Sequence, residues 1–241
     1  MTEETAVRIT ERMNRNFFIK LLVWAVLFLL LYTVTIQYQV VCELGGSWRT
    51  PVSLKTPVDA YTPVNIYIMW FYAACLLYVP FSGALFALNR RITAIQVVAF
   101  YLSVIAVYLL SYAIYLVFPT TAAEVMLTSY EPNKDLFINR GMFDALQNLY
   151  ALSTPLGDFP SLHVAPLVVM GLFLWRYWRW LLVVYVPLAF LGGVGTFVLK
   201  FHTVMGFLGG AVMGVFGWLV IFSWLLRVLS RFEQSADAVA G

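Results

Sequence analysis

Two histidines, the only two in the chain, carry the chemistry that this sequence offers. His163 ends the stretch 157–163 (GDFPSLH), and His202 ends the later stretch 200–202 (KFH). Each lies where a polar loop enters a long apolar segment. Because an imidazole can act as a nucleophile or as a general acid, a pair of histidines at one face indicates a catalytic site for group transfer.

Phosphoryl transfer at a lipid headgroup needs a nucleophile, an acid for the leaving oxygen, and donors for the phosphoryl oxygens. We predict His202 as the nucleophile and His163 as the acid. Ser161 lies two residues before His163, where a helix is about to begin, so its hydroxyl and the first free amides of that helix could hold a phosphoryl oxygen. The cations within reach are Lys200, Arg140 and Lys134.

Each of these residues also has a structural interpretation. A histidine at a membrane interface often only bridges headgroups or caps a helix. Lys200, at the outer end of an apolar segment, would extend its ammonium to the interface whatever else it does. Ser161, directly after Pro160, would cap a helix. What favours chemistry is the occurrence of both histidines on the same face.

Composition indicates an all-α, polytopic membrane protein that forms a single domain over residues 1–241. The chain is 62% hydrophobic and 11% charged, with a mean hydropathy of +0.84, whereas soluble domains average about 25% charged residues. The net charge of +3 and the position of the basic residues beside apolar segments argue against nucleic-acid binding. Cys42 and Cys75 have no disulfide or metal-ligand spacing, so no metal or other cofactor is predicted.

Segments of about 20 apolar residues can cross a bilayer as helices. Six spans are predicted, from Phe17 to Gln37, Val64 to Leu88, Thr93 to Phe118, His163 to Tyr177, Trp180 to Leu199 and Thr203 to Leu229. With this arrangement, ten of the fifteen lysines and arginines fall on the side that holds both termini. The positive-inside rule makes that side cytoplasmic. We therefore expect an integral protein of the plasma (inner) membrane with the two histidines on the extracytoplasmic face.

The sequence also predicts the conformation of the long loops and a helix-packing surface made of glycines. The loop 38–63, which contains two adjacent glycines and several prolines, is predicted to be irregular backbone at the membrane surface. Residues 144–150 have the spacing of a short interfacial helix. In the sixth span, glycines at three- and four-residue spacing form one helical face, and we expect it to pack closely on the glycine-containing fifth span. The stripe consists of Gly206, Gly210, Gly214 and Gly217.

Residues 159–165 (FPSLHVA), followed by 200–202 (KFH) and a glycine-rich helix, resemble the membrane-bound type 2 phosphatidic acid phosphatase superfamily. The similarity is greatest to the branch that contains inositol phosphorylceramide synthase, an inositolphosphotransferase. Residues 56–59 (TPVD) and 118–120 (FPT) also resemble that branch, so the resemblance covers about residues 56–217.

This resemblance implies a lipid phosphatase or phosphotransferase that acts on a membrane lipid phosphate. His202 would become a phosphohistidine, and His163 would protonate the leaving alcohol. Ser161 would contact the phosphate, and Lys200 matches a basic position just before the nucleophile.

Two positions depart from the family pattern. The aspartate expected four residues after the nucleophilic histidine is Gly206, and the arginine expected after residues 118–120 is Glu124. Asp158 is a possible replacement carboxylate, as are Glu124 and Glu43.

Two hypotheses therefore stand. The chain is an active enzyme, or it is a catalytically degenerate member that serves as a lipid-binding or interaction subunit. A transporter is less favoured, because the spans contain almost no ionisable residues and show no inverted repeat.

Overall fold

The structure, a computed structural model, describes residues 3–123 and 156–240. These residues are mostly α-helical. The helices are α1 (Glu3–Ile36), α2 (Tyr38–Trp48), α3 (Pro57–Tyr61), α4 (Met69–Leu88), α5 (Ala94–Val117), α6 (Val164–Tyr177), α7 (Leu182–Val198), α8 (Val204–Phe216) and α9 (Ser223–Ala240). Short 3₁₀ turns precede α4 and α7, and a π-helical turn, Gly217–Phe222, joins α8 to α9. Two short strands are β1 (Val52–Ser53) and β2 (Thr120–Thr121).

Four helical stretches in the described part are long and apolar enough to cross a membrane. They are Asn16–Trp48, Ala94–Val117, Arg179–Val198 and Val204–Ser235, and Val164–Tyr177 is a shorter apolar helix. This confirms the prediction of an all-α membrane protein. The count of six spans and the cytoplasmic side of the termini stay predictions. Arg140, Lys134, Glu124 and the predicted interfacial helix 144–150 lie outside the described residues.

The prediction of irregular backbone over residues 38–63 is wrong for its first part, which forms helix α2. The glycines there provide close approach and do not form a turn. A Cβ atom on Gly45 would lie 2.4 Å from the carbonyl oxygen of Tyr115, so α2 packs backbone to backbone on α5. The remainder of the segment contains only β1 and the short helix α3.

Aromatic packing joins the helices in the apolar interior. The rings of Phe86, Phe100 and Phe173, which belong to α4, α5 and α6, lie with centroids 4.5–5.2 Å apart and are fully buried. Such aromatic pairs add to the stabilisation from burial alone. This cluster fixes α6, and with it His163 at the start of α6, against the rest of the bundle.

The glycine stripe of α8 faces α6 more closely than the predicted partner, the fifth span. Cβ atoms on Gly210 and Gly214 would lie 2.6 and 2.5 Å from the carbonyl oxygens of Ser161 and Ala165. Small residues at these positions let the two helices meet along their backbones. The stripe therefore brings the start of α8, just after His202, onto the start of α6.

The loop before α6 is held by the two-stranded sheet. β1 and β2 pair in parallel, with Val52 opposite Thr120. Thr120 accepts two hydrogen bonds from this loop, from Gly157 N to its carbonyl and from Phe159 N to its hydroxyl, both at 2.8 Å. Residues 118–120, which resemble a motif of the inositolphosphotransferase branch, therefore hold the stretch 157–163 in place.

Candidate active site

The two histidines meet. Nδ1 of His163 lies 2.8 Å from Nε2 of His202, and their ring centroids are 5.1 Å apart. His202 is almost fully buried, and His163 is half-buried. Residues far apart along the chain thus form one hydrogen-bonded pair, as the predicted site requires.

Local backbone structure presents each ring. His163 directly precedes α6. His202 lies in the turn between α7 and α8, where its amide and that of Phe201 both donate to the carbonyl of Thr196. Lys200 enters that turn with a φ of 63°, a left-handed conformation that few side-chain-bearing residues adopt. Thr203 then caps α8 by accepting a hydrogen bond from Gly206 N at 3.1 Å.

The neighbours of His202 fix the proton positions of both neutral rings. Nδ1 of His202 faces two acceptors, the backbone carbonyl of Asp158 at 2.9 Å and its Oδ1 at 3.4 Å. Nδ1 must therefore carry the proton, which leaves Nε2 as an acceptor for Nδ1–H of His163. Nε2 of His163 then accepts from the Tyr72 hydroxyl at 3.0 Å. The nitrogen of His202 that points to His163 is therefore unprotonated, and its lone pair accepts the hydrogen bond from His163.

Asp158 is buried at the back of the His202 ring. Its Oδ1 accepts from the amide of Thr203 at 2.7 Å, and its Oδ2 accepts from the hydroxyl of Thr203 at 2.6 Å. Burial alone would raise the pKa of this carboxyl group, but the hydrogen bond from His202, the charge of that ring when it is protonated, and the bonds from Thr203 lower the pKa below its ordinary value. The side chain is therefore an anion next to the imidazole.

Gly206 provides the space for this carboxylate. A Cβ atom at position 206 would lie 2.4 Å from both the carbonyl oxygen and Oδ1 of Asp158. No side chain larger than that of glycine fits there unless Asp158 moves. The glycine at position 206, where the family pattern has an aspartate, therefore allows Asp158 to lie beside His202.

Ser161 is fully buried between the histidine loops. Its hydroxyl accepts from the amide of Val164 at 3.4 Å, and its own amide donates to the carbonyl of Gly206 at 2.9 Å. Ser161 therefore bonds the first amide of α6, although the N-cap position itself is occupied by His163. A contact with phosphate stays a prediction.

Lys200 is fully buried and ties the His202 turn to α3. Its ammonium donates to the carbonyls of Asp59 at 2.6 Å and Thr62 at 2.7 Å. Burial lowers the pKa of Lys200, against the opposing effect of the Asp59 carboxylate. Two of its three N–H donors are thus directed at backbone, and its predicted contact with phosphate stays a prediction.

Two residues that help to position the site were not predicted from the sequence. Asp59 bonds to the first turn of α8, and Tyr72 bonds to His163. Asp59 is buried, and its carboxylate accepts from the amide of Val204 at 2.7 Å and from the amide and hydroxyl of Thr56 at 2.8 and 2.7 Å. A signal for Asp59 existed, because it ends the stretch 56–59 (TPVD). Nothing in the sequence separates Tyr72 from the other tyrosines. Glu43, another candidate carboxylate, is exposed and accepts from Gln39.

Comparison with models of known families matches residues 39–220 to the model described as the PAP2 superfamily. No curated protein and no solved structure matches the chain. The matched residues include both histidines, Asp158 and the support from Asp59 and Tyr72.

Proposed function

Because this chain belongs to the PAP2 superfamily, we propose that it is a membrane enzyme that cleaves a lipid phosphate ester through a phosphohistidine on His202. Membership of the superfamily indicates phosphatase-type activity on phosphate esters. The finer proposal, a lipid substrate and a histidine nucleophile, rests on one observation above all. Nε2 of His202 is unprotonated and its lone pair points at His163, while its Nδ1–H is held at Asp158.

Each residue has a role in the proposed reaction. His202 Nε2 attacks phosphorus, forming a P–N bond while the P–O bond to the leaving alcohol breaks. His163, protonated in the substrate complex, gives its proton to the leaving oxygen. Asp158 stabilises the positive charge that His202 then carries. In the second step His163 takes a proton from water or from an acceptor alcohol, whose oxygen attacks phosphorus and releases His202.

Ser161, Lys200 and Arg140 remain the proposed phosphate contacts. Ser161 and Lys200 adjoin the two histidine loops. Lys200 would act through its third N–H and its charge, because carbonyl oxygens occupy the other two donors. Transfer to inositol or a similar alcohol, as in the inositolphosphotransferase branch, is a further part of the proposal, as is an extracytoplasmic site.

The test is phosphate release or transfer by the purified protein in detergent. Phosphatidic acid, a prenyl diphosphate and an inositol lipid would be offered to the protein and to His202→Ala. We expect turnover only with the unchanged protein, and we expect ³²P to be trapped on it in an acid-labile, base-stable form typical of phosphohistidine. Equal turnover by both proteins would reject the proposal.

A second candidate function is a catalytically degenerate subunit that binds lipid. Gly206 is the observation that favours it, because the family aspartate is missing there. The position of Asp158 supports the active enzyme instead, since its carboxylate lies 3.4 Å from Nδ1 of His202. Inactivity toward every phosphate ester, with intact lipid binding, would favour the subunit.

A further inference from the structure

A cavity of about 460 Å³ extends from His163 between helices α1, α4, α5 and α6. Tyr38 and His163 line one end, and Phe28 and Phe81, whose ring centroids are 6.3 Å apart, line the other. The run from Phe28 in α1 to Tyr38, the first residue of α2, makes the cavity about 15 Å long at 1.5 Å per residue. We call this cavity the chain groove.

The walls of the chain groove are almost entirely apolar. Leu31, Cys75 and Leu162 form a buried side, with 4–6% of their surface exposed. Leu77 and Phe81 are more than half exposed on the opposite side. Helix α4 is apolar over almost its whole length, so these exposed side chains form an apolar open side of the groove. The groove therefore opens sideways, so that a hydrocarbon chain could enter from the bilayer.

The groove reaches one histidine and not the other. His163 is part of its lining, and His202 is not. In the proposed reaction His163 protonates the oxygen of the leaving alcohol. A chain in the groove would thus be attached to the oxygen that His163 protonates, which in the first step is the oxygen of the leaving group.

The dimensions limit what the groove can hold. A volume of about 460 Å³ spread over about 15 Å of helix matches one extended hydrocarbon chain better than two side by side. The volume also lies within the range of about 300–1,000 Å³ of small-molecule sites. A second acyl chain would have to remain outside, in the bilayer.

We propose that the chain groove binds the single hydrocarbon chain of the leaving alcohol, so that the preferred substrate is a phosphate ester of a single-chain lipid alcohol. This inference rests on the proposed function and names its substrate class. An alkyl chain and an isoprenyl chain share the required chemistry, a long apolar tail on one phosphate ester.

Three variants test the inference. Leu77→Trp fills the groove, and Phe81→Ala lengthens its inner end. Phe190→Ala is the matched control, because Phe190 is a membrane-facing aromatic residue on α7, 63% exposed, that does not line the groove. The substrates are alkyl phosphates of increasing length, an isoprenyl phosphate, diacyl phosphatidic acid and a soluble aryl phosphate without a chain.

We expect Leu77→Trp to raise KM for long single-chain phosphates about tenfold, as displacement of about two methylenes would, with the aryl phosphate unaffected. Phe81→Ala should move the preferred chain to greater length. Preference for the alkyl or the isoprenyl series would identify the tail. Equal chain-length profiles in all three variants, or preference for the diacyl lipid in the unchanged protein, would overturn the inference.

A binding measurement separates this inference from the proposed function. Native mass spectrometry of His202→Ala with single-chain phosphates reports occupancy without turnover. If no ester is cleaved but Leu77→Trp weakens binding about tenfold relative to the Phe190→Ala control, the chain groove stands and the catalytic proposal fails. If Leu77→Trp binds single-chain phosphates as the control does, the chain groove is wrong.

Discussion

Replacing Asp158 with asparagine tests how His202 is held. The substitution removes a negative charge 3.4 Å from Nδ1 of the imidazole but leaves the backbone carbonyl at 2.9 Å, which still accepts the Nδ1 proton. In a serine protease triad, where the carboxylate holds the tautomer, the same change lowers turnover about 10⁴-fold. Loss of a partner that only orients a histidine ligand of a metal costs about 10–100-fold. Because the carbonyl preserves the tautomer here, we expect kcat to fall about 10–100-fold.

The assay is steady-state turnover of the best lipid phosphate in detergent micelles, with KM and kcat measured separately. Glu43→Gln is the control, since Glu43 is an exposed carboxylate that interacts with Gln39, and it should leave kcat unchanged. We expect KM of Asp158→Asn to stay within about twofold, because the carboxylate acts on charge that develops during reaction. Unchanged kcat in Asp158→Asn would refute the assigned role of Asp158.

A second test introduces a carboxylate at position 206, where the family pattern has an aspartate. Gly206→Asp alone should lower activity, because its Cβ atom would meet Oδ1 of Asp158 at 2.4 Å. The double variant Asp158→Gly, Gly206→Asp removes the overlap with Oδ1, leaves the contact with the backbone carbonyl of residue 158, and moves the carboxylate to the position expected from the family pattern, so it should be more active than Gly206→Asp alone. Higher activity of Gly206→Asp alone than of the unchanged protein would refute the reasoning and favour a degenerate site.

Three further predictions concern the supporting residues. Tyr72→Phe removes the hydroxyl that bonds Nε2 of His163 and should lower kcat about tenfold, the value of a hydrogen bond of about 1.4 kcal/mol, without changing the melting temperature; a matching loss of stability would contradict a positioning role. Asp59→Asn weakens the bonds that join α3 to the first turn of α8 and should cost about 1–3 kcal/mol of unfolding free energy, measured by denaturation in detergent; unchanged stability would show that this tie is dispensable. The pKa of Asp158 is lower in the folded protein than its ordinary value of 3.8, so its stabilisation is present above that value and is lost as pH falls through the lower, folded-state pKa; Asp158→Asn should flatten this acid-side loss in a pH series of unfolding curves, and identical slopes would contradict it.

The histidine pair could be predicted because its signal is local. Each histidine follows a polar turn at the start of an apolar segment, and helices of a bundle that begin on the same side bring such turns together. Asp158 was a candidate for the same reason, since it lies in the loop that carries His163. Its hydrogen bonds to Thr203 could not be predicted, because they depend on the close packing of α8 against that loop.

Other features carry no distinct local signal. A glycine that allows two backbones to approach, such as Gly45, has the same sequence appearance as a glycine in a turn, and this is why α2 was predicted as loop. Tyr72 belongs to an apolar helix in which a tyrosine usually serves packing. Lys200 was predicted to bind phosphate from its position beside His202, whereas the contacts of its ammonium with α3 depend on the fold of a segment about 140 residues earlier.

The 2.8 Å bond between the two imidazoles bears on which phosphates the protein can accept. A phosphoryl group that comes between the rings must first break the hydrogen bond between them. Every ligand therefore loses the same amount of binding free energy, and this bond competes with every ligand equally. A small soluble phosphate has only its charge with which to displace that competitor. A phosphate carrying an apolar tail also gains free energy from removing the tail from water or headgroups. The paired rings would thus act as a filter against the free phosphate and sugar phosphates of the surrounding solution.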